Sequence, residues 1–501
     1  MHKCLTVFEI VSGVADAVVG EVDWTHGYTN GPSYNEREGC ASLARTCRAF
    51  YEPAMDAPWR HLPSLKPIIS NLPQRNLSNG MVSFLNLLAE YRVIYLIMER
   101  LHFQVFGPLD QSNRQVARFC TNLRRIRSLY LCHVDNGGSQ FSDELKTLTI
   151  CCATLGESLV PNLHTLALSG ITPAASPFIP LLLHEGLHSC IFPPDELEHR
   201  LTFALLGQLH RLVPRLQRIV SRNRKTPVSA LKMAASFKDS RFLKFVATNC
   251  NTEDLVGLIR SLPEETLEDL RMTISHGPLH TPPWNLILSA IGRLTSIRYL
   301  RLEVDYIYWR IAPSMYDMRP LLSLVFLETL HLSIAGDAAL GASSLDDQSI
   351  TEFPHSFPQL RSLTIRQAEG YSPVEAPQRF SLDVLTSCAL HWPRLDHLSV
   401  ETDLTEVPKM PLLHARSSRK VSLDLSHIAT VPKAAWLDVA AYISRVYPNA
   451  NLTVPAANRV SCRYWRNIVN AVPVFARARE EERTLALRDA AQTSGTDGLR
   501  H

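Results

Sequence analysis

The chain has 501 residues, 46% hydrophobic and 20% charged, with 51 Lys and Arg against 48 Asp and Glu for a net charge of +3. So apolar a mixture belongs to a globular rather than a disordered chain, and charge so balanced argues against a dedicated nucleic-acid or membrane-surface protein. The 11 Cys form no CxxC pair; their odd number and their places in apolar stretches (Cys132, Cys190, Cys388) point to reduced core thiols, and so to the cytoplasm or nucleus.

The first 20 residues carry one basic residue, Lys3, and Glu9 and Asp16 interrupt their apolar stretch, which makes a poor signal peptide. No apolar run approaches the 18 residues of a membrane span. Residues 1–65 read as a small helical module. Leu5 to Ile10 begins it, and an insert at 20–39, rich in Gly, Asn and Tyr, follows. Leu43, Cys47 and Phe50 then fall at i, i+4 and i+7, one stripe of a helix. Pro53 suits the first turn of a second helix, which carries Ala54, Ala57 and Trp59 and ends near Leu62-Pro63. Two short helices of this kind cannot form a stable core alone; they need a third helix, a partner, or a neighbouring solenoid to cap. Residues 66–119 read as a helical connector or cap.

From residue 120 to 455 a phrase recurs. Val160-Pro161-Asn162-Leu163-His164-Thr165-Leu166-Ala167-Leu168 has counterparts at Val213 to Ser221, Phe357 to Ile365 and Trp392 to Val400. Without the Pro, its core of apolar, two free, apolar, one free, apolar starts at Ile126, Leu145, Leu163, Leu187, Leu216, Phe242, Leu267, Ile297, Leu327, Leu360 and Leu395, in steps of 18 to 35 residues. The last two apolar positions share one side of a strand. Helical runs such as Leu286 to Leu294 and Leu382 to Leu390 lie between, and the Pro reads as a helix stop. One strand and one helix cannot bury both apolar faces, so neighbours must stack. The expected class is α/β: a small helical module followed by a strand–helix solenoid. An ordinary α/β domain with Leu-rich strands is the alternative.

The pattern resembles an irregular leucine-rich repeat, longer and less even than the usual repeat and without a regular Asn or Cys after the strand. Ahead of it, Leu43-Ala44-Arg45-Thr46-Cys47-Arg48-Ala49-Phe50 and Glu52-Pro53-Ala54-Met55-Asp56-Ala57-Pro58-Trp59-Arg60-His61-Leu62-Pro63-Ser64-Leu65 resemble the second and third helices of an F-box, as in fungal F-box proteins with degenerate repeats. Leu5 to Ile10 lacks the Pro expected of the first helix, and Pro58 stands where the family has Leu. The resemblance implies a substrate-recognition subunit of an SCF-type ubiquitin ligase, held to a Skp-type adaptor and a cullin, that does no chemistry and takes no cofactor. The expected adaptor anchors are Leu5, Ile10, Leu43, Cys47, Phe50 and Trp59. A plain repeat scaffold with no ubiquitin-ligase link is the second reading.

Chemical motifs are few. His184-Glu185-Gly186-Leu187-His188 matches the zincin signature, but Pro177, Pro180, Pro193 and Pro194 flank it, and the repeat frame makes it a turn entering a strand, where the two rings do not converge. Arg211, Arg215, Arg218, Arg222, Arg224 and Lys225 form a basic stretch, interrupted by Pro214 and without interleaved aromatics for bases. No phosphate loop or nucleophile elbow occurs. Neither an enzyme, nor a metal site, nor nucleic-acid or membrane binding is expected. The outward residues of the best-defined strands line the expected protein-substrate face: Tyr299, Arg301 and Glu303; Thr329, His331 and Ser333; Ser362, Thr364 and Arg366; His397, Ser399 and Glu401. Their polar mix of both charge signs suits a protein partner. Residues 456–501 read as a closing helix over 463–483, broken at Pro473, with a frayed tail from Thr493.

Overall fold

The computed structural model describes residues 12–15, 17, 34–46, 48–62, 64, 67–68, 114–132, 160–169, 176–192, 199–221, 228–248, 251–275, 284–305, 315–335, 350, 356–368, 380–400, 402–404, 406–408, 416–417, 419–425, 434–453 and 462–497. The chain divides into two compact units, Met1–Val246 and Ala247–His501.

In the first unit, residues 12–15 are helical, and helices α1 (Tyr34–Thr46) and α2 (Arg48–Arg60) run into strand β1 (His61–Leu62). Then come α3 (Arg114–Arg125), β2 (Ser128–Cys132), β3 (Thr165–Ser169), a 3-10 segment (Ser176–Leu182), β4 (Ser189–Phe192), α4 (His199–Leu212), β5 (Arg218–Ser221), α5 (Val228–Ala235) and β6 (Phe242–Thr248). The strands pair in parallel, strictly in chain order. The second unit holds α6 (Thr252–Arg260), β7 (Asp269–Ser275), α7 (Trp284–Gly292), β8 (Tyr299–Asp305), α8 (Met315–Met318) with a 3-10 segment (Arg319–Ser323), β9 (Thr329–Ala335), β10 (Ser362–Ala368), α9 (Asp383–His391), β11 (His397–Val400), β12 (Ser422–Asp424), α10 (Trp436–Val446), β13 (Asn451–Leu452) and α11 (Cys462–Asp497). These strands too pair in parallel and in chain order. Right-handed crossovers that always step the same way place their connections on one face of a sheet, which is the strand–helix repeat inferred from the leucines. A doubly wound domain would reorder its strands.

Most of the described repeats close in the same way. Leu163 N–H bonds to Val160 O at 3.0 Å, Leu216 to Val213 at 3.2 Å, Leu360 to Phe357 at 3.2 Å and Leu395 to Trp392 at 3.0 Å. The Pro of the phrase is therefore the second residue of a β-turn, where its fixed φ fits and its missing N–H is not needed. Turns without Pro close alike, Ile297 to Leu294 at 3.1 Å and Leu327 to Leu324 at 3.0 Å. The leucine that ends each turn lies two residues ahead of its strand and is wholly buried, as at Leu163, Leu216, Leu327 and Leu360. One residue further on, a single carbonyl accepts two consecutive N–H groups from the next repeat: Arg298 and Tyr299 on Glu268 O (2.8 and 3.0 Å), Glu328 and Thr329 on Arg298 O (2.7 and 2.9 Å).

Several sequence expectations need correction. The frame at Phe242 is two residues late: Phe242 opens β6, and Ser240, 2% exposed, occupies the leucine position. Leu145 lies outside the described residues. Pro53 does not open a helix; α2 starts at Arg48 and runs through Pro53 and Pro58. It is held in tertiary contact, since Arg125 of α3 pairs with Glu52 and, at 2.7 Å, with Asp56. Pro473 likewise does not break the closing helix, which continues from Cys462 to Asp497. Trp465, Ile468 and Val472 bury its first half, with the Trp465 indole donating to Thr453 O at 3.0 Å, and packing of this kind outweighs one lost backbone bond.

Candidate protein-binding face

Alternation along the strands of the second unit sends Leu300, Leu302, Val304, Leu330, Leu332, Leu363 and Leu398 into the core, so their neighbours stand on the opposite face. Strand register aligns these in rows. The first runs Asp269, Tyr299, Thr329, Ser362, His397, Ser422; the second Arg271, Arg301, His331, Thr364, Ser399, Asp424; the third Thr273, Glu303, Ser333, Arg366. Tyr299, Arg301, Glu303, His331, Thr364, Arg366 and His397 thus share one surface. Thr364 and Ser399 are its most hidden members, 5% and 1% exposed. Glu401 lies outside the described residues.

The charges on this face are paired within it. Arg271 makes a two-point pair with Asp269 (3.0 and 2.9 Å) and lies over the Tyr299 ring, 4.2 Å from its centroid. Arg301 donates to Glu303 Oε1 from Nε at 2.9 Å and from Nη2 at 2.5 Å, and the Thr273 hydroxyl donates to Glu303 Oε2 at 3.0 Å. Arg366 donates to Ser399 Oγ at 3.1 Å and to Asp424 Oδ2 at 2.8 Å. Burial alone would raise the Glu303 pKa, but Arg301 and Thr273 outweigh it and hold the carboxyl below its usual value. His331 stands at the centre. Burial first, then the Arg301 charge, press its pKa down to about 4 against the pull of Glu303. It is therefore neutral near pH 7, and its 3.8 Å approach to Glu303 is not an ion pair there. His397 is lowered too, by burial foremost, with Asp424 opposing. Two-point Arg–carboxylate pairs fix side chains that are otherwise flexible, so the face is a pre-set, nearly neutral polar surface.

Asp269, Arg271 and Thr273 were legible from the Leu267 frame but were not among the residues singled out. Asp424 was not legible, because Lys420 stands where its repeat needs an apolar residue to be recognised. The corresponding row of the first unit, Tyr130, Ala167, Ile191 and Val220, is instead an apolar cluster of 0–9% exposure, with Phe242 packed against it.

Among the expected adaptor anchors, Leu43 packs against a buried cluster of Ala15, Cys40 and Ala57. Three helical segments, residues 12–15, α1 and α2, meet there. Phe50 and Trp59 are half-buried on α2; Leu5, Ile10 and Cys47 lie outside the described residues. Among the described side chains of these segments, Val14 and Tyr51 are the exposed large apolar ones, at 45% and 48%. The His184–His188 signature lies in a turn ahead of β4. His184 Nδ1 accepts from Gly186 N–H at 3.1 Å, while His188 meets the His164 ring edge-on, centroids 5.3 Å apart. No group of three His, Cys, Asp or Glu among the described residues is placed to hold a metal ion, and no described helix is long and apolar enough to cross a membrane.

No protein-family model and no curated protein matches the chain. Among solved structures it is similar to the leucine-rich repeat-containing protein LegL7 from Legionella pneumophila, at 10% identity and a TM-score of 0.30 over 73% of this chain and 96% of that one. It is also similar to TLR13 in a complex with ssRNA13, at 14% identity and a TM-score of 0.25 over 55% of this chain and 45% of that one.

Proposed function

We propose that the chain is a non-enzymatic recognition subunit whose second unit takes a protein substrate on its polar face and whose amino-terminal helices take a Skp-type adaptor of an SCF-type ubiquitin ligase. The observation that supports substrate binding is the register-aligned set around His331, polar, mixed in sign and locked by Arg301–Glu303 and Arg366–Asp424. Protein interfaces favour such surfaces, with Arg and Tyr pre-ordered among neutral polar groups. Adaptor binding is supported by the resemblance of residues 43–65 to an F-box and by the three-segment packing around Ala15, Cys40 and Ala57. Leu43 serves that packing, so Val14 and Tyr51 are the better anchors for a groove. Co-purification with a Skp-type adaptor tests this. The intact chain retains the adaptor, and Val14→Asp with Tyr51→Asp releases it while the melting temperature holds. An adaptor that ignores the intact chain ends the ubiquitin-ligase reading.

A second reading, a plain repeat scaffold capped by its own helices, is favoured by the join between α2 and β1. Leu62 pairs with Leu129 of β2, and Arg127 N–H bonds to Arg60 O at 3.0 Å. On that reading, removing residues 1–60 unfolds the start of the sheet, whereas a separable adaptor module leaves the melting curve of the remainder intact.

A further inference from the structure

Strand β9 runs through the middle of the polar face and differs from the strands beside it. Its outward residues are Thr329, His331 and Ser333, all three partly exposed. None carries a fixed charge, and no side chain among the described residues hydrogen-bonds to any of them. The nearest ionic group, Glu303, stays 3.8 Å from the His331 ring. On one side stands Arg301 of β8, closed onto Glu303; on the other stands Arg366 of β10, closed onto Asp424. An uncharged hydrogen-bonding strip therefore lies between two guanidiniums that each already hold a carboxylate.

Same-side residues of a parallel strand recur about every 6.6 Å, so the strip is roughly 13 Å long. An extended peptide laid along β9 has nearly the same interval, so its alternate side chains meet Thr329, His331 and Ser333 one to one. Each of the three offers both a donor and an acceptor. A hydroxyl does so, and so does the neutral imidazole of His331. A carboxamide returns both without a charge, on a stem long enough to reach down to the strand. A carboxylate offers acceptors alone and an ammonium donors alone. Either would also lose its water against a face whose charges are already matched, with no counter-charge to offset that loss. An apolar side chain would cover the hydroxyls and the imidazole and leave them without water or partner.

We infer that β9 selects an extended segment of the protein substrate with Asn or Gln at alternate positions, His331 taking the central carboxamide. This rests on the reading of the face as the substrate surface and names what that surface reads. Arg301 and Arg366 flank the segment as fixed walls, because their pairs hold them in place before it arrives.

The test is fluorescence anisotropy of the full chain with labelled peptides in which Ser alternates with Gln, Glu or Lys. The Gln peptide binds at least about fivefold more tightly than either charged one, and its affinity changes little with salt, since no charge is neutralised. His331→Leu weakens it about fivefold, the worth of one or two hydrogen bonds. His331→Gln, which restores a donor and an acceptor, keeps most of the affinity. Should His331→Leu not fold, Thr329→Ala with Ser333→Ala removes two of the three contacts without touching a charge, and weakens binding at least about threefold. A Glu or Lys peptide that binds as tightly as the Gln peptide and is weakened by His331→Leu overturns the amide selection but keeps the face as the substrate surface. Peptides that all bind alike, whatever the variant, place binding elsewhere and overturn both. A Gln peptide that does not bind overturns the selection alone.

Discussion

His331 is neutral and 16% exposed, in the middle of a face that also presents Arg301, Glu303, Arg366 and His397 to it. Its folded pKa lies near 4, below the usual 6.5, so the unfolded chain takes up a proton that the folded chain refuses. Stability is unaffected above pH 6.5, falls as pH drops through that value, and reaches its full loss below pH 4, a matter of order 2–3 kcal/mol. His331→Gln should flatten the stability profile across that window, as measured by urea midpoints at pH 7, 5.5 and 4. Glu303 contributes an acid loss of the same sign at lower pH, because its folded pKa is depressed. Arg301→Ala leaves the half-buried Glu303 with the Thr273 hydroxyl alone, and raises its pKa. These side chains were legible as an outward set from strand alternation. Their mutual pairing was not, since Arg366 meets Asp424 only through the register of β10, β11 and β12.

Within elements, the tightest constraint falls where α7 meets the following 3-10 segment. A Cβ on Gly292 would stand 2.2 Å from Pro320 O, and Ser323 Oγ already donates to Gly292 O at 2.5 Å. Gly292→Ala must push backbone from backbone and should cost about 1–3 kcal/mol, seen as a lowered melting temperature with the face intact. The turn leucines are equally strict. Leu327 is 0% exposed, and Leu327→Ala should cost about 2–5 kcal/mol. Tyr442, also fully buried, ties α9 to α10 through Thr386 at 2.7 Å and Asp383 at 3.0 Å; Tyr442→Phe leaves Asp383 short of a donor and should cost about 1 kcal/mol. Most strands could be located from the sequence because that leucine is periodic. β12 and β13 escaped because Lys420 and Asn449 hold its place, and β1 because it has only two residues. The helices fared worse at their prolines, since a propensity rule knows nothing of Arg125 holding α2 or of Trp465 anchoring α11.

At the scale of the whole chain, the repeat pattern carried the architecture into view, and the make-up of the exposed faces only in part. Leucine spacing reports what is buried, and burial is what periodicity encodes. The apolar row at Tyr130, Ala167, Ile191 and Val220 depends on which strands lie side by side. The doubled bonds at the strand entries have a mechanical corollary. Wherever one carbonyl grips two amide hydrogens, as at Glu268 and Arg298, parting neighbouring repeats from that end means rupturing both bonds together. Thermal fraying should therefore begin at the opposite ends of the strands. Deuterium uptake at Tyr299 and Thr329 should lag behind that at Asp305 and Ala335, and a reversed order would show that the paired bonds confer no such grip.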